Sequence, residues 1–257
     1  QMKVQADLQK AAEREKTERE RIRSNERLAE EAAIDKNEQF LAELKRAGLG
    51  TLPGTAAEIL DDEVRATLCP DKIKTGEWLE VMRTAHKTGF RTTATIMFGH
   101  MEKLVHWARH LLRLRALQAE TGGFTEFVPL PFVHMEAPIY LKGRARRGPT
   151  FREAVLMHAV ARLALHPLIP NIQASWVKLG PEGVKACLRA GVNDLGGTLM
   201  DESISRAAGA SHGPEMAPAV MEELIRSGGR RPRERTTLYG PSKRGATASS
   251  SVVALSG

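Results

Sequence analysis

Polar side chains that could bind a substrate recur along the central part of the sequence, each time after or within a short apolar run. Carboxylates, imidazoles, amides and amines hold polar ligands by hydrogen bonds and exchange protons with them. Because they recur at the same place relative to successive apolar runs, we expect them to line one substrate site. The candidates are Glu58, His100, Glu126, His134, Gln173, Ser175, Lys178, Asp194 and Thr198.

Glu126 is the candidate with the strongest individual argument. It stands in the apolar segment FTEFVPLPF, which is typical of a buried strand. A carboxylate buried in such a strand must be paired or take part in chemistry. His100 and His134 fit equally well as histidines that stabilise loops by hydrogen bonds, and Lys178 fits equally well as a surface cation.

A zinc site is not predicted. His106 and His110 have the i, i+4 spacing of a zinc-binding helix, but the glutamate of the HExxH motif is absent. Cys69 and Cys187 are the only cysteines and lie far apart in the sequence, so they predict neither a disulfide framework nor a metal centre. They suit a reducing compartment, and we expect a cytoplasmic protein.

The net charge of +7 comes mostly from the C-terminal end, since residues 230–257 carry six basic side chains and one acidic side chain. A basic tail is typical of a solvated end. With only 5% aromatic residues the sequence offers no platform for stacked bases, so a nucleic-acid partner is not expected. No apolar run reaches the roughly 18 residues of a membrane span, and a membrane location is not expected either.

The elements that would position the candidate residues are helices that alternate with short apolar strands. Five helix-then-strand units follow one another, and their later strands read RTTATIMF, FTEFVPLPF, NIQASWVKL and VNDLGGTLM. This alternation predicts a parallel sheet, since a parallel crossover is long enough to hold a helix. No GxGxxG or GxxxxGK[ST] loop follows a strand, which favours a barrel. Because eight units need about 250 residues, five units predict a partial α/β barrel whose strand ends form the site.

The composition divides the chain into three segments. Residues 1–40 alternate Glu with Lys and Arg and contain neither Gly nor Pro, which predicts a solvated helix. Residues 41–229 hold the partial barrel. Residues 230–257 are rich in Arg, Ser, Gly and Pro and are predicted to be mobile.

Long blocks of the sequence closely resemble the C-terminal part of the FO synthase family, radical S-adenosylmethionine (SAM) enzymes of deazaflavin biosynthesis. They include GLGTLPGTAAEILDDEVRATLCPDKIKTGEWLEVMRTAH, GGFTEFVPLPFVHMEAPIYLKGRARRGPTFREAVLMHAVARLALHPLI and GVNDLGGTLMDESISRAAGASHG, within roughly residues 41–240. The resemblance is to the half that transfers the 4-hydroxybenzyl group of L-tyrosine to 5-amino-6-(D-ribitylamino)uracil. It implies a TIM-type barrel of the radical SAM kind, of which this chain holds about strands four to eight.

The resemblance also implies cofactors, a [4Fe-4S] cluster and SAM in the complete enzyme. The family's G-x-I-x-G-x-x-E strand binds SAM, and the residues that match its spacing are Thr95, Met97, Gly99 and Glu102, with Thr and Met in place of Gly and Ile. The cluster ligands, a CxxxCxxC motif, are absent from the sequence. The chain alone is therefore expected to be inactive, and the missing half-barrel is an expected partner.

Three other functions remain open at this point. The first is a non-catalytic binding or assembly module that completes a barrel with a partner. The second is a related radical SAM enzyme of menaquinone biosynthesis, which shares the general pattern. The third is a metal-dependent hydrolase that uses the strand-end His and Glu residues.

Overall fold

The computed structural model of the chain describes residues 2–242 and 252–256. The chain divides into two compact units, Gln1–Leu49 and Gly50–Gly257. The first unit consists mainly of one helix, and the second contains every candidate site residue.

Helix α1 spans Met2–Arg46 and is longer than the sequence predicts. Residues 1–40, predicted to form a helix, continue into the LAELKR segment as one helix because neither Gly nor Pro interrupts them. Exposed ion pairs one turn apart stabilise it locally, such as Arg21 with Glu18 at 2.7 Å. Gly48 has φ +96° and ends the helix, since glycine enters the left-handed region without steric cost.

A parallel sheet in the order β1-β2-β3 forms the centre of the second unit. Strand β1 spans Thr51–Leu52, β2 spans Arg91–Phe98 and β3 spans Phe124–Pro131. Isolated parallel bridges, Phe127 to Ile172 and Gln173 to Asp194, continue the pairing to β4, Asp194–Gly197. Five neighbouring strand positions therefore run parallel, which confirms the predicted sheet. Within the described residues this parallel pairing does not close into a barrel.

Helices connect the parallel strands, as the alternating pattern predicts. A capping box starts one of them, where Thr150 Oγ1 accepts a hydrogen bond from the Glu153 amide at 3.2 Å. No helix in the described part of the chain is both long and apolar enough to span a membrane. The helices of the second unit are α2 Asp62–Leu68, α3 Thr75–Lys87, α4 Leu104–Thr121, α5 Pro138–Leu141, α6 Phe151–Leu165, α7 Trp176–Arg189, α8 Ile204–Ala207 and α9 Pro218–Ser227.

The apolar core lies between these helices and one face of the sheet. Alternate residues of β2, namely Ala94, Ile96 and Phe98, are fully buried in this core. Phe98 contacts Trp107 of α4 edge to face, with ring centroids 5.3 Å apart. Successive side chains of a strand point to opposite faces, so the residues between them belong to the other face of the sheet. This second face is more polar.

The segment NIQASWVKL is not a full strand, contrary to the prediction. It contributes only the bridges at Ile172 and Gln173, and α7 begins at Trp176. Gly180, with φ +64°, and Pro181 kink α7, because proline lacks the amide that the helical hydrogen-bond ladder needs.

The C-terminal segment, whose composition predicts mobility, contains two strands in the structure. Strand β5 spans Arg231–Glu234 and β6 spans Val252–Ser256. Both belong to a second sheet of order β4-β6-β5 with antiparallel pairs. Residues 243–251 and 257 lie outside the described residues. Composition misses these strands because their pairing partners are distant in sequence.

Candidate functional site

Three of the predicted site residues meet on the polar face of the sheet. Glu126 is the third residue of β3, Asp194 is the first residue of β4, and Gln173 pairs with Asp194. Gln173 Nε2 donates a hydrogen bond to Glu126 Oε2 at 3.0 Å. Asp194 is fully buried and Glu126 is 7% exposed, so both carboxyl groups are largely removed from water.

Two side chains of the C-terminal segment complete this group. Arg235 Nη2 lies 2.5 Å from Asp194 Oδ2 and 3.4 Å from Glu126 Oε2. The Tyr239 hydroxyl contacts the same two carboxyl oxygens. The guanidinium carbon of Arg235 lies 3.9 Å from the centre of the Tyr239 ring, within the range of a cation–π contact. We call Glu126, Gln173, Asp194, Arg235 and Tyr239 the carboxyl cluster.

The local backbone brings the carboxyl cluster together. Gly196 has φ +71°, and its amide donates to Asp194 Oδ1 at 2.7 Å, which fixes that carboxyl group. A Cβ atom at position 196 would lie 2.9 Å from Gln173 Oε1, so glycine leaves the room that Gln173 needs. Tyr239 has φ +64° in a turn where its amide donates to the Thr236 carbonyl at 3.0 Å. This turn directs the phenol towards the sheet.

Burial perturbs the ionisable groups of the carboxyl cluster. Desolvation raises the pKa of Glu126, and the nearby Asp194 adds to this, while Tyr239, Arg235 and Gln173 oppose it. Desolvation likewise raises the pKa of Asp194, with Arg235 and Tyr239 opposing. Desolvation and the two carboxyl groups raise the pKa of Tyr239, which stays a neutral phenol. The cluster can therefore hold a proton at a pH where an exposed carboxyl group would not.

Glu102, which the resemblance assigns to the SAM side, lies after the end of β2. Its carboxylate accepts hydrogen bonds from the amide of Gly99 at 2.5 Å, from the amide of His100 at 2.9 Å and from Trp107 Nε1 at 2.8 Å. Burial raises the pKa of Glu102, but the adjacent His100 and the hydrogen bonds from Gly99 and Trp107 outweigh it and lower the pKa. The carboxylate therefore stays ionised and fixes the loop.

His100 is fully buried beside this carboxylate. Its Nδ1 lies 2.8 Å from the Met101 amide nitrogen and 3.1 Å from Glu102 Oε2, and its Nε2 lies 3.0 Å from the Met97 carbonyl oxygen. Burial lowers the pKa of His100, and the charge of Glu102 opposes this. Both ring nitrogens thus bond to backbone, which supports the loop-stabilising interpretation of this histidine.

The other three residues on the predicted SAM side also bond within the protein. Thr95 Oγ1 donates to the Gly54 carbonyl at 2.7 Å, and the Met97 amide donates to the Glu58 carbonyl at 2.8 Å. Gly99 has φ +96°, and a Cβ atom there would lie 2.2 Å from Pro149 Cδ. Glycine is required at position 99 by packing.

Glu58 and His134 lie apart from the carboxyl cluster. The Glu58 carboxylate pairs with Lys72, and its backbone has φ +41°. The His134 ring contacts Tyr140 edge to face, with centroids 4.7 Å apart. Neither residue shares a hydrogen bond with the carboxyl cluster in the part of the chain that the structure describes.

The remaining candidates follow the later strand positions. Ser175 is the residue before α7, and Lys178 lies in the first turn of that helix. Burial lowers the pKa of Lys178, and the charge of Glu202 opposes this. Thr198 follows β4, and its carbonyl accepts the Met216 amide at 2.9 Å.

The prediction that all candidates gather at one end of the sheet is wrong. Glu126 is level with Thr93 in the register of β2 and β3 and precedes Pro131, the end of β3, by five residues. At about 3.3 Å per residue this is roughly 16 Å short of the strand end. His100 follows the end of β2, whereas Asp194 begins β4. The candidates therefore form two groups, because a residue inside a strand faces the sheet rather than the loops beyond it.

Comparison with known proteins shows what part of the second unit is similar to. The model for the family described as the CofH/MqnC C-terminal region matches residues 121–247. All five members of the carboxyl cluster lie inside this region, whereas Glu58 and His100 lie outside it.

Curated relatives match a longer part of the chain. The 5-amino-6-(D-ribitylamino)uracil–L-tyrosine 4-hydroxyphenyl transferase of Methanopyrus kandleri is 57% identical over 206 residues, which are 80% of this chain and 56% of the relative. The protein of the same name from Methanocaldococcus jannaschii is 54% identical over 211 residues, 82% of this chain and 58% of the relative. The FO synthase of Nocardia farcinica is 56% identical over 201 residues, 78% of this chain and 23% of the relative. The chain spans little more than half the length of these transferases.

The residues present do not fit the [4Fe-4S] cluster that the resemblance implies. Iron–sulfur clusters need several thiolates close together. Cys69 follows α2 and Cys187 lies in the core within α7, and both are buried and free. On the SAM side, the polar atoms of Glu102 and Thr95 are engaged by protein groups.

One acidic group resembles a cation site. Ligand atoms of Asp61, Glu63 and His106 lie within 4.8 Å of one another. Two arginines already neutralise it, since Arg109 and Arg113 lie 3.2 and 3.3 Å from Asp61 Oδ2. We assign no metal to this group.

Arg235 and Tyr239 are the site residues that sequence reasoning missed. The composition of residues 230–257 predicted a mobile tail, and a mobile segment gave no reason to select its side chains as site residues. Tyr239 is one of only two tyrosines in the chain, and aromatic residues are depleted in disordered segments. The tyrosine was therefore the one feature of this segment that argued against a mobile tail.

Proposed function

We propose that this chain is the substrate-side, C-terminal part of an enzyme that transfers the 4-hydroxybenzyl group of L-tyrosine to 5-amino-6-(D-ribitylamino)uracil. The observation that carries the proposal is the carboxyl cluster. It joins buried ionisable groups on the polar face of a parallel sheet, and it lies inside residues 121–247, which match the model of the CofH/MqnC C-terminal region. Buried groups with perturbed pKa values mark functional sites more often than structural ones.

In this proposal Glu126 and Gln173 contact the substrate. A carboxylate and an amide side by side accept and donate hydrogen bonds, which suits the ring N–H and C=O groups of an aminouracil or the amino group of tyrosine. Asp194 is fully buried and shares the contacts of Glu126 with Arg235 and Tyr239. His134, Ser175, Lys178 and Thr198 stay candidates for contacts to the polar parts of the substrates, and Glu58 and His100 stay candidates of lower rank because their side chains have protein partners.

In this proposal the cluster ligands belong to the part of the relatives that this chain does not span, and Thr95, Met97, Gly99 and Glu102 stay candidates for the SAM side. Together a [4Fe-4S] cluster and SAM would supply the radical chemistry. The five parallel strand positions would correspond to about strands four to eight of a radical SAM barrel. We place the protein in the cytoplasm, where its two free cysteines would stay reduced.

An assembly module is the second candidate. Strand β1 has two residues and pairs with β2, and in the part of the chain that the structure describes no strand pairs with its other edge. An open edge is a template for further strands, which a partner could supply.

The family description also names MqnC, so a related radical SAM enzyme of menaquinone biosynthesis would use the same polar face.

Substrate binding tests the proposal directly. We expect anaerobic calorimetric titration to detect binding of 5-amino-6-(D-ribitylamino)uracil or L-tyrosine to the chain. Glu126→Gln should weaken that binding at least tenfold, or about 1.4 kcal/mol, because a neutral amide replaces the carboxylate acceptor. Glu182→Gln, at an exposed glutamate of α7, is the matched control and should bind like the wild type. The proposal fails if neither compound binds or if both variants bind equally.

Reconstitution separates the candidates. The chain alone, treated anaerobically with iron, sulfide and SAM, should form no stoichiometric cluster and cleave no SAM. Adding the amino-terminal part of the Methanopyrus kandleri relative should give a complex in sedimentation and restore product formation. A complex without turnover would favour the assembly module, and a cluster on the isolated chain would contradict our account of the cysteines.

A further inference from the structure

The Tyr239 hydroxyl contacts two carboxyl groups at once. It lies within hydrogen-bonding distance of Glu126 Oε2 and of Asp194 Oδ2. A phenol has one proton and can donate only one of these hydrogen bonds. The other contact needs a proton on the carboxyl side, donated to the phenol oxygen, because two oxygens without a proton between them repel each other.

The balance of charge leads to the same conclusion. From the C-terminal segment Arg235 and Tyr239 face the pair, and from the neighbouring strand position Gln173 faces Glu126. Strand β6, which pairs with β4, contains no ionisable side chain. Within the described residues one guanidinium thus faces two buried carboxyl groups. Adjacent carboxyl groups in such a site keep one proton between them, since a second buried negative charge would have no partner.

The two oxygens of the Glu126 carboxyl group differ in their contacts. Gln173, Arg235 and Tyr239 all bond to Oε2, and no described residue bonds to Oε1. Asp194, by contrast, has Oδ1 bonded to the Gly196 amide and Oδ2 bonded to Arg235 and Tyr239. Glu126 is therefore the member of the pair that keeps an unoccupied acceptor.

We propose that Glu126 and Asp194 share one proton, and that Arg235 and Tyr239 are positioning residues that fix this pair so that Glu126 offers Oε1 to a ligand. The ligand class is a molecule with an N–H donor, such as an amine or the ring N–H of a uracil. This ligand assignment rests on the proposed function, whereas the shared proton does not.

Carbon-13 NMR of the side-chain carboxyl carbons tests the shared proton between about pH 4 and 9. Resonances are assigned with Glu126→Gln and Asp194→Asn. In the wild type one member of the pair should titrate above the range of an ordinary carboxyl group. Tyr239→Phe removes the shared hydroxyl and keeps the ring over Arg235, and it should move this titration to higher pH. Tyr140→Phe, at the other tyrosine, is the matched control and should leave it unchanged.

Two results would overturn the shared proton. One is a wild-type titration in which both carbons follow ordinary carboxyl values, and the other is a Tyr239→Phe profile identical to that of Tyr140→Phe. Circular dichroism verifies that Tyr239→Phe is folded. Arg235→Lys serves as a second variant, which keeps the charge but loses the planar stack on Tyr239 and should also raise the titration of the pair.

Saturation with 5-amino-6-(D-ribitylamino)uracil tests the role of Oε1. The Glu126 carboxyl resonance should shift on binding, while the resonance of Glu182 should not. Binding that leaves the Glu126 resonance unmoved would refute the assignment of Oε1. If neither substrate binds, the proposed function fails, and the shared proton is judged by its titration alone.

Discussion

Replacing Arg235 by leucine should destabilise the second unit strongly. The change removes the cation that lies 2.5 Å from Asp194 and 3.4 Å from Glu126. Removing one partner of a buried ion pair costs about 3–5 kcal/mol, because the remaining charge stays buried. Arg235 is 8% exposed and Asp194 is fully buried. The expected loss therefore belongs to this range and exceeds the 1 kcal/mol or so that an exposed pair contributes.

The cost should also depend on pH. Without the guanidinium, the pKa values of Glu126 and Asp194 rise further above their values in the unfolded chain. A carboxyl group with a raised pKa in the folded state stabilises the fold below its unfolded pKa and loses that contribution as the pH rises through the folded pKa. We therefore expect Arg235→Leu to lie closest to the wild type near about pH 5 and furthest from it near about pH 8.

Urea unfolding followed by tryptophan fluorescence measures this effect. The three tryptophans, Trp78, Trp107 and Trp176, all lie in the second unit and report on that unit alone. Arg233→Leu, at an exposed position of β5, is the matched control and should change the free energy of unfolding by less than about 0.5 kcal/mol. The reasoning is refuted if Arg235→Leu costs no more than Arg233→Leu, or if its cost is equal at the two pH values.

Two further predictions concern stability elsewhere in the second unit. Gly99→Ala should lower the free energy of unfolding by about 2 kcal/mol or more, since φ is +96° and the new Cβ would overlap Pro149; Gly50→Ala, with open space around it, should have little effect in the same urea titration. Burial lowers the pKa of His158 to about 4. The neutral imidazole therefore makes its full contribution to the free energy of unfolding above the unfolded pKa of about 6.5. That contribution is lost as the pH falls towards 4, by about 3 kcal/mol in total. Urea midpoints of the wild type should fall over that range more steeply than those of His158→Gln, and parallel profiles would contradict the assignment.

The order of the elements could be predicted from the sequence, because it depends on local patterns. Apolar periodicity and glycine or proline stops placed β2 at RTTATIMF and β3 near FTEFVPLPF, and the alternation with helices predicted parallel pairing. The same reasoning selected Glu126, since a carboxylate inside an apolar strand needs partners whatever the fold. It also selected Gln173 and Asp194, but it did so because it expected them at the ends of strands. In the structure Gln173 lies in a bridge and Asp194 is the first residue of β4, whereas His100 follows the end of its strand.

Only the tertiary structure determines which residues contact the Glu126 side chain. Arg235 and Tyr239 lie more than a hundred residues further along the chain, and their own segment has the composition of a tail. Local sequence carries no information about a contact of that separation, because the contact forms only after β3, β4 and the C-terminal turn are packed together. By itself the sequence determined the parallel strands and the presence of a buried acid in them. The fold decided that this acid meets a second carboxyl group, one arginine and one phenol, which sets its protonation and hence its chemistry.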